Sequence, residues 1–255
     1  MTNSDYANRE WSRDRILCQI YFYYKKIKNR KVQRLIVKKH HISVWEVIIL
    51  KKTKLGRDLV VYMALGDGYL NPNGYLSIRH SLTQKEYIEW KSKLLNSHGI
   101  NTTGLYFHNN NNYGVYEMRT YTHEFIKVYR RVLYSPTKKI ADRKILNKLT
   151  PLGIAIWYMD DGGLSKKREN GVIVANELMI NTHLTKEENQ IIIDYFQEVW
   201  NIRFRQAKNR GKYRLVCGTK EARRFVEIVK PYVNQVECMK YKIDVKPESQ
   251  IKIKK

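Results

Sequence analysis

Two stretches of the chain are apolar on nearly every face, and each ends in Asp-Gly. In VVYMALGDGYL, Val60 to Leu70, the residues Val60, Val61, Met63 and Leu65 cover most of a helix circumference. In GIAIWYMDDGGL, Gly153 to Leu164, Ile154, Ile156, Trp157 and Met159 do the same. A helix that is apolar all round is buried on several sides, so each stretch predicts a central helix. The same signals then follow each one in the same order. SLTQKE (Ser81 to Glu86) returns as HLTKEE (His183 to Glu188). Thr83 with Glu86, and Thr185 with Glu188, have capping-box spacing and predict helices starting near Gln84 and Lys186. Tyr87, Trp90, Leu94 and Leu95 recur at helical spacing in the first, as do Ile191, Ile192, Tyr195, Phe196 and Val199 in the second. Gly99 closes one and Trp200-Asn201-Ile202 the other. YTHEFIKVYRRVLY (Tyr121 to Tyr134) then returns as GTKEARRFVEIVKPYV (Gly218 to Val233), with Thr122 and Thr219 as caps of a further helix.

Alternating runs between these helices predict strands. Leu76 and Ile78 oppose Tyr75, Ser77 and Arg79, and Tyr116 and Met118 oppose Glu117 and Arg119. In the second copy Leu178 and Ile180 oppose Glu177, Asn181 and His183. Ile202 and Phe204 oppose Arg203 and Arg205, and Tyr213 and Leu215 oppose Lys212 and Arg214. Each half reads helix, two strands, helix, two strands, helix, which makes the chain a duplicated α+β protein. The second copy is longer, with the extra residues placed in a polar loop, Ser165 to Gly171. The apolar sheet faces need helices over them, while the polar faces stay open. Duplicated halves pack about a pseudo-two-fold axis, which sets the two apolar helices against each other. Ala64, Gly66, Gly153 and Ala155 are small enough to let their backbones approach.

Composition says what the polar faces meet. The 255 residues carry 48 Lys+Arg against 24 Asp+Glu, a net charge of +24. Such an excess repels itself in the folded state and points to a polyanion, where released counterions drive binding. The strand residues named above suit base edges and phosphates. Cys18, Cys217 and Cys238 lie far apart and form no CxxC pair, so neither a disulfide framework nor a zinc site is indicated. No signal peptide or membrane-spanning run is present. An intracellular setting fits, in an organelle or in bacterial or phage-infected cytoplasm, and the richness in Lys, Ile, Asn and Tyr suits an AT-rich genome. The expected division is a basic, helical N-terminal extension over 1–55, a first half over 56–134, a linker over 135–150, a second half over 151–246 and a basic tail over 247–255. The extension is read as a helical DNA-contacting element or as helices packed on the first half, and His40 and His41 as surface or phosphate-contacting residues.

The two Asp-Gly ends carry the chemistry. Packed side by side, the helices would deliver Asp67 and Asp161 together at one end. A carboxylate at a helix C-terminus opposes the dipole, and two together repel. A divalent cation reverses that arithmetic: hard oxygen ligands hold Mg²⁺, with Mn²⁺ as a substitute, and the backbone carbonyls of Gly66 and Asp160 add donors. Metals so held clamp the attacking and leaving oxygens of a phosphodiester and activate water. Gly68 and Gly162 are expected to let the chain leave each helix at positive φ.

VVYMALGDG and IAIWYMDDG, with the Leu149-Thr150-Pro151 lead-in to the second, resemble the two signature motifs of LAGLIDADG homing endonucleases. The likeness covers about residues 56 to 246 and is of the single-chain type. The resemblance implies two αββαββα halves packed through their motif helices, with antiparallel sheets forming a DNA-binding saddle. It implies a monomer that cuts both strands of a long DNA target, leaving short 3′ overhangs, in homing of its host intron or element. It gives the metals to Asp67 and Asp161 and carries no metal role onto the Asp160 side chain. It also adds a basic residue near each metal site. PTKKIADRKILNKLTP offers Lys138 or Lys139, with Ala141 where proline is usual, and alignment from Leu149 favours Lys138. MKYKI, Met239 to Ile243, offers Lys242, with Lys240 as the outsider. The rival readings on the same scaffold are an intron RNA maturase, with its own intron RNA as partner, and an inactive DNA-binding protein. Retention of both aspartates argues against each.

Overall fold

A computed structural model of the chain describes residues 44–245, apart from 111–112, 136–137, 140, 171 and 210. The chain divides into two compact units, Met1–Gly56 and Arg57–Lys255. Most of the N-terminal extension, with Cys18, His40 and His41, lies outside the described residues, as does the basic tail.

From the end of the first helix onward, the second unit repeats one plan. Helix α1 (Val44–Leu65) leads into β1 (Tyr69–Leu70), β2 (Leu76–Ser81), α2 (Lys85–Ser97), β3 (Tyr106–Asn110), β4 (Tyr113–Arg119) and α3 (Glu124–Leu133). A short ribbon, β5 (Tyr134–Ser135) with β6 (Lys138–Lys139), and a single turn, α4 (Arg143–Leu146), lead to the second copy. That copy is α5 (Pro151–Asp161), β7 (Gly162–Glu169), β8 (Val172–Ile180), α6 (Lys186–Trp200), β9 (Arg205–Asn209), β10 (Lys212–Gly218) and α7 (Thr219–Val233). A 3₁₀ segment, Glu237–Ile243, follows. Both four-stranded sheets are antiparallel and share one order, β1-β2-β4-β3 and β7-β8-β10-β9.

Register puts the apolar residues of each sheet on one face. Ile78 stands opposite Met118 and Leu215 opposite Ile180, and all four are buried. Tyr87, Ile88 and Leu95 of α2 cover the first sheet face. The second core is more aromatic: Phe196 lies 5.0 Å from Phe204 and Tyr158 5.0 Å from Phe225, ring centre to ring centre.

The motif helices meet as their composition requires. Every residue from Gly153 to Met159 is buried, as are Leu59 to Ala64. A methyl group on Gly153 would lie 2.9 Å from the Tyr62 ring, and one on Gly66 would lie 2.2 Å from Asp160 Oδ2. Tyr62 Oη donates to the Lys148 carbonyl at 2.9 Å, tying α1 to the approach of α5. Thr150 caps α5 by accepting from the Gly153 amide, with Pro151 at the first helical position, a cap of about 1 kcal/mol.

Four local expectations turn out differently. Leu82–Gln84 form a 3₁₀ turn, so α2 starts at Lys85 without a side-chain cap. Glu86 instead accepts from the Glu237 and Cys238 amides, at 2.8 and 3.0 Å, and so caps the C-terminal 3₁₀ segment. The box at Thr185 and Glu188 is formed in full. Neither Thr122 nor Thr219 caps its helix: His123 and Gly218 hold the cap positions, and Thr219 Oγ1 accepts from the Asn176 amide on β8. The extra residues of the second copy do not form a loop; they lengthen the β7–β8 hairpin as far as Glu169↔Val172. Finally, Gly68 and Gly162 are not at positive φ. They are required by close approach, because a Cβ on Gly68 would lie 2.5 Å from the Met63 carbonyl and one on Gly162 2.0 Å from the Tyr158 ring.

Candidate nucleic-acid interface and metal centres

Asp161 is the last residue of α5, and Asp67 follows the end of α1. The abutting helices bring both to the lining of one cleft of about 1030 Å³, together with Tyr69, Tyr134, Thr182, His183 and Tyr213. The Asp67 side chain is 42% exposed. Asp161 is held from its own helix by Trp157 Nε1, which donates to Oδ2 at 3.2 Å. Its carbonyl accepts from the backbone and side-chain nitrogens of Asn181. Each aspartate also lines a groove of its own half. Asp67 shares one with Tyr75, Ser77, Arg79, Glu117 and Arg119. Asp161 shares the other with Asn181, His183, Lys212 and Arg214. His183 has φ 56°, in the left-handed region that non-glycine residues seldom enter, His, Asn and Asp less rarely than the rest.

Two apolar helices meeting through glycine, each ending in an aspartate over a basic sheet face, form a pattern that can be compared with known proteins. The sequence profile of the LAGLIDADG DNA endonuclease family matches residues 58–225. The chain belongs to this family. A probable intron-encoded endonuclease of Wickerhamomyces canadensis is 27% identical over 202 residues, covering 75% of this chain and 84% of that one. RecA proteins of Mycolicibacterium flavescens and Mycobacterium gastri are each 29% identical, covering 72% and 79% of this chain but 45% and 51% of theirs. The chain thus spans about half the length of these curated relatives. The solved structure of the homing endonuclease I-WcaI bound to its DNA recognition sequence shares the fold, with a TM-score of 0.64 and 24% identity over 76% of this chain and 88% of that one.

The other expected site residues fall into distinct groups. Glu117 is only 1% exposed and serves as a hub. It takes Arg79 at 3.0 Å, Arg119 at 2.6 Å, Ser77 at 3.0 Å and His108 at 3.1 Å. Burial pushes its carboxyl up, but the bonds from Arg119 and Ser77 and the two guanidinium charges outweigh this and hold it at about 2. It therefore orients the arginines that face the groove and does not itself present an oxygen to a ligand. Arg205 pairs with Glu177 at 2.8 Å, and Arg203 is exposed just before β9. Lys242 is buried, with its Nζ donating to the carbonyls of Met159 and Asp160 at the end of α5. Burial lowers its pKa against the pull of Asp160, Asp67 and Asp161. Lys240 points away and pairs with Glu237. The backbones of Lys138 and Lys139 pair with Ser135 and Tyr134; their side chains lie outside the described residues.

A buried polar cluster beneath Asp67 has no place in the sequence expectations. The Asp160 side chain is 0% exposed and crosses to the first half, where Lys91, also 0% exposed, meets Oδ1 at 2.6 Å. Tyr87 Oη donates to the same oxygen at 2.9 Å, and the Asp67 amide donates to Oδ2 at 3.1 Å. Lys91 Nζ also lies 3.0 Å from His80 Nε2. Burial, then the Lys91 charge, holds the His80 pKa down to about 3. The one signal in the sequence was Lys91 at helical spacing between the apolar Tyr87 and Leu95, a charge on the face of α2 that becomes buried.

Part of this cluster has the spacing of metal ligands. Asp67, His80 and Asp160 set donor atoms within 4.8 Å of one another. Both Asp160 oxygens already accept hydrogen bonds, and Lys91 occupies His80 Nε2. The Asp67 and Asp161 carboxylates line the cleft and are hard oxygens of the kind that hold Mg²⁺ or Mn²⁺.

Proposed function

We propose that the protein is a site-specific DNA endonuclease, a homing enzyme that hydrolyses one phosphodiester on each strand of a long duplex target. The observation that carries this reading is the shared cleft: two aspartates, one from each motif helix, line it side by side, and each continues into a groove lined by cationic and polar side chains. The family and the DNA-bound fold of I-WcaI support it.

In this reading Asp67 and Asp161 hold Mg²⁺ or Mn²⁺, which when bound activates water and offsets charge on the phosphate. The protein groups do the placing. Arg79 and Arg119, held by Glu117, and Lys212 and Arg214 take phosphates and base edges. Asn181 binds the Asp161 carbonyl and keeps that turn in place. Lys242 sits at the end of α5, where a cation suits the helix dipole, and organises water at the Asp161 centre. Lys138 is the corresponding residue of the first half. The chain acts as a monomer, since both centres lie on one polypeptide. Retention of both aspartates favours cleavage over an RNA maturase or an inactive DNA-binding protein, since those roles need neither, although maturase activity can coexist with cleavage.

The test uses duplex DNA carrying the joined flanks of the element that encodes the chain. Cutting of both strands with Mg²⁺ but not with Ca²⁺ is expected. Asp161→Asn should abolish one cut while keeping DNA binding. Tight binding to intron RNA without any DNA cutting would sink the reading.

A further inference from the structure

Among the described residues, the side-chain hydrogen bonds of the Asp160 carboxylate all run to the first half. Asp160 belongs by sequence to the second motif, yet its carboxylate is used up in the first half by Lys91, Tyr87 and the Asp67 amide. Lys91 also fixes His80. An ammonium can only donate, so Nε2 accepts and the ring proton sits on Nδ1. That nitrogen faces Asp67 Oδ2 at 3.7 Å and Gln84 Oε1 at 3.2 Å.

The repeat shows what the second half has instead. The counterparts of Asp160, His80, Tyr87 and Lys91 are Gly66, Thr182, Asn189 and Ile193. Gly66 has no side chain to send across, and Ile193 carries no charge. Thr182 and Asn189 bond each other at 2.5 Å. A buried ion pair is seldom worth more to stability than an apolar pair of the same volume, so stability alone does not account for placing one here. Its position does, against the backbone and the carboxylate of Asp67.

We propose that Asp160, Lys91 and His80 are positioning residues of the first centre alone. Asp160 holds the Asp67 turn by its amide. Lys91 holds Asp160 and sets His80 so that its Nδ1–H is directed at the Asp67 carboxylate and Gln84. The two centres are therefore not equivalent, and the strand served by Asp67 depends on groups that the other strand does not need. This rests on the reading of Asp67 and Asp161 as the metal-holding carboxylates, one for each strand.

The experiment uses the full chain and a duplex with each strand labelled separately, under single turnover. Asp67→Asn and Asp161→Asn first show which strand each centre serves. Asp160→Asn, which keeps the shape but puts an NH₂ donor where one of the two accepting oxygens stood, and Lys91→Met with Asp160→Asn, which leaves no unpaired buried charge, are then compared with the parent. Cutting of the Asp67 strand should slow about 10- to 100-fold, as expected for misplacement of a reacting group, while the Asp161 strand keeps its rate and nicked DNA accumulates. In metal-free protein, ¹⁵N spectra should show His80 protonated on Nδ1 and a changed tautomer in Lys91→Met. Equal slowing of both strands, no slowing, slowing of the Asp161 strand alone, or a His80 tautomer indifferent to Lys91 would overturn the proposal. A parent protein that cuts neither strand would overturn the endonuclease reading, and this proposal with it.

Discussion

Glu117 and Lys242 show how single buried ionisable groups shape a surface rich in cations. Glu117 is held at about 2, below the ordinary carboxylate value of 4.5. A depressed native pKa gives stability that is fully present above the unfolded value and is lost as pH falls through the folded one. The melting temperature of the parent should therefore drop between about pH 4.5 and pH 2, and Glu117→Gln should flatten that part of the curve while lowering stability at neutral pH by about 1–3 kcal/mol. A calorimetric pH series decides it. Lys242 donates to the last carbonyls of α5, so Lys242→Met should slow cutting by the Asp161 centre about 10²-fold or more. Lys240→Met, which removes only a surface pair with Glu237, should leave cutting unchanged. Single-turnover rates on labelled strands separate the two variants.

Glycine controls how closely the two motif helices and their ends approach. Gly162 and Gly66 have no room for a methyl, with backbone or short side-chain atoms at 2.4 Å or less, whereas Gly153 meets only side-chain atoms at 2.9 Å. Thermal melts should rank Gly162→Ala and Gly66→Ala as the most damaging and Gly153→Ala as milder, at about 1–3 kcal/mol. Gly218→Ser, with nothing within 4 Å and a helix N-cap position, should be neutral or better by a few tenths of a kcal/mol. The order of elements and the meeting of the two helices were legible in the sequence, because a two-residue period, a 3.6-residue period and an all-apolar run each have one structural meaning. That Asp67 and Asp161 would come to one cleft was legible for the same reason: they end those runs. The cluster of Asp160, Lys91 and His80 was not, because it joins three segments whose proximity exists only after folding. Glu86 was misread because capping-box spacing says which oxygen is available, not which amide is nearest. Gly68 and Gly162 were rightly marked as special, but for close approach and not for backbone sign.

Across the whole chain, a net charge of +24 makes binding a matter of counterion release. If six to ten phosphates are contacted, log affinity should fall against log salt with a slope of about −5 to −9. Replacing Arg79 or Arg119 by Ala should reduce that slope by about one each. Fluorescence anisotropy over a salt series on a cognate and a scrambled duplex measures both, and a flat response would contradict a phosphate-tracking surface. The crossing of Asp160 into the first half sets a limit on modularity. A homodimer of first halves would set Gly66 against Gly66 and bury two lysines with no carboxylate to meet them, a loss of about 3–5 kcal/mol at each. A homodimer of second halves would send two Asp160 carboxylates toward Ile193. Neither half is an interchangeable part: a chimera that borrows the first half must also import an acidic residue at the position of Asp160, or it will inherit a lysine with nowhere to put its charge.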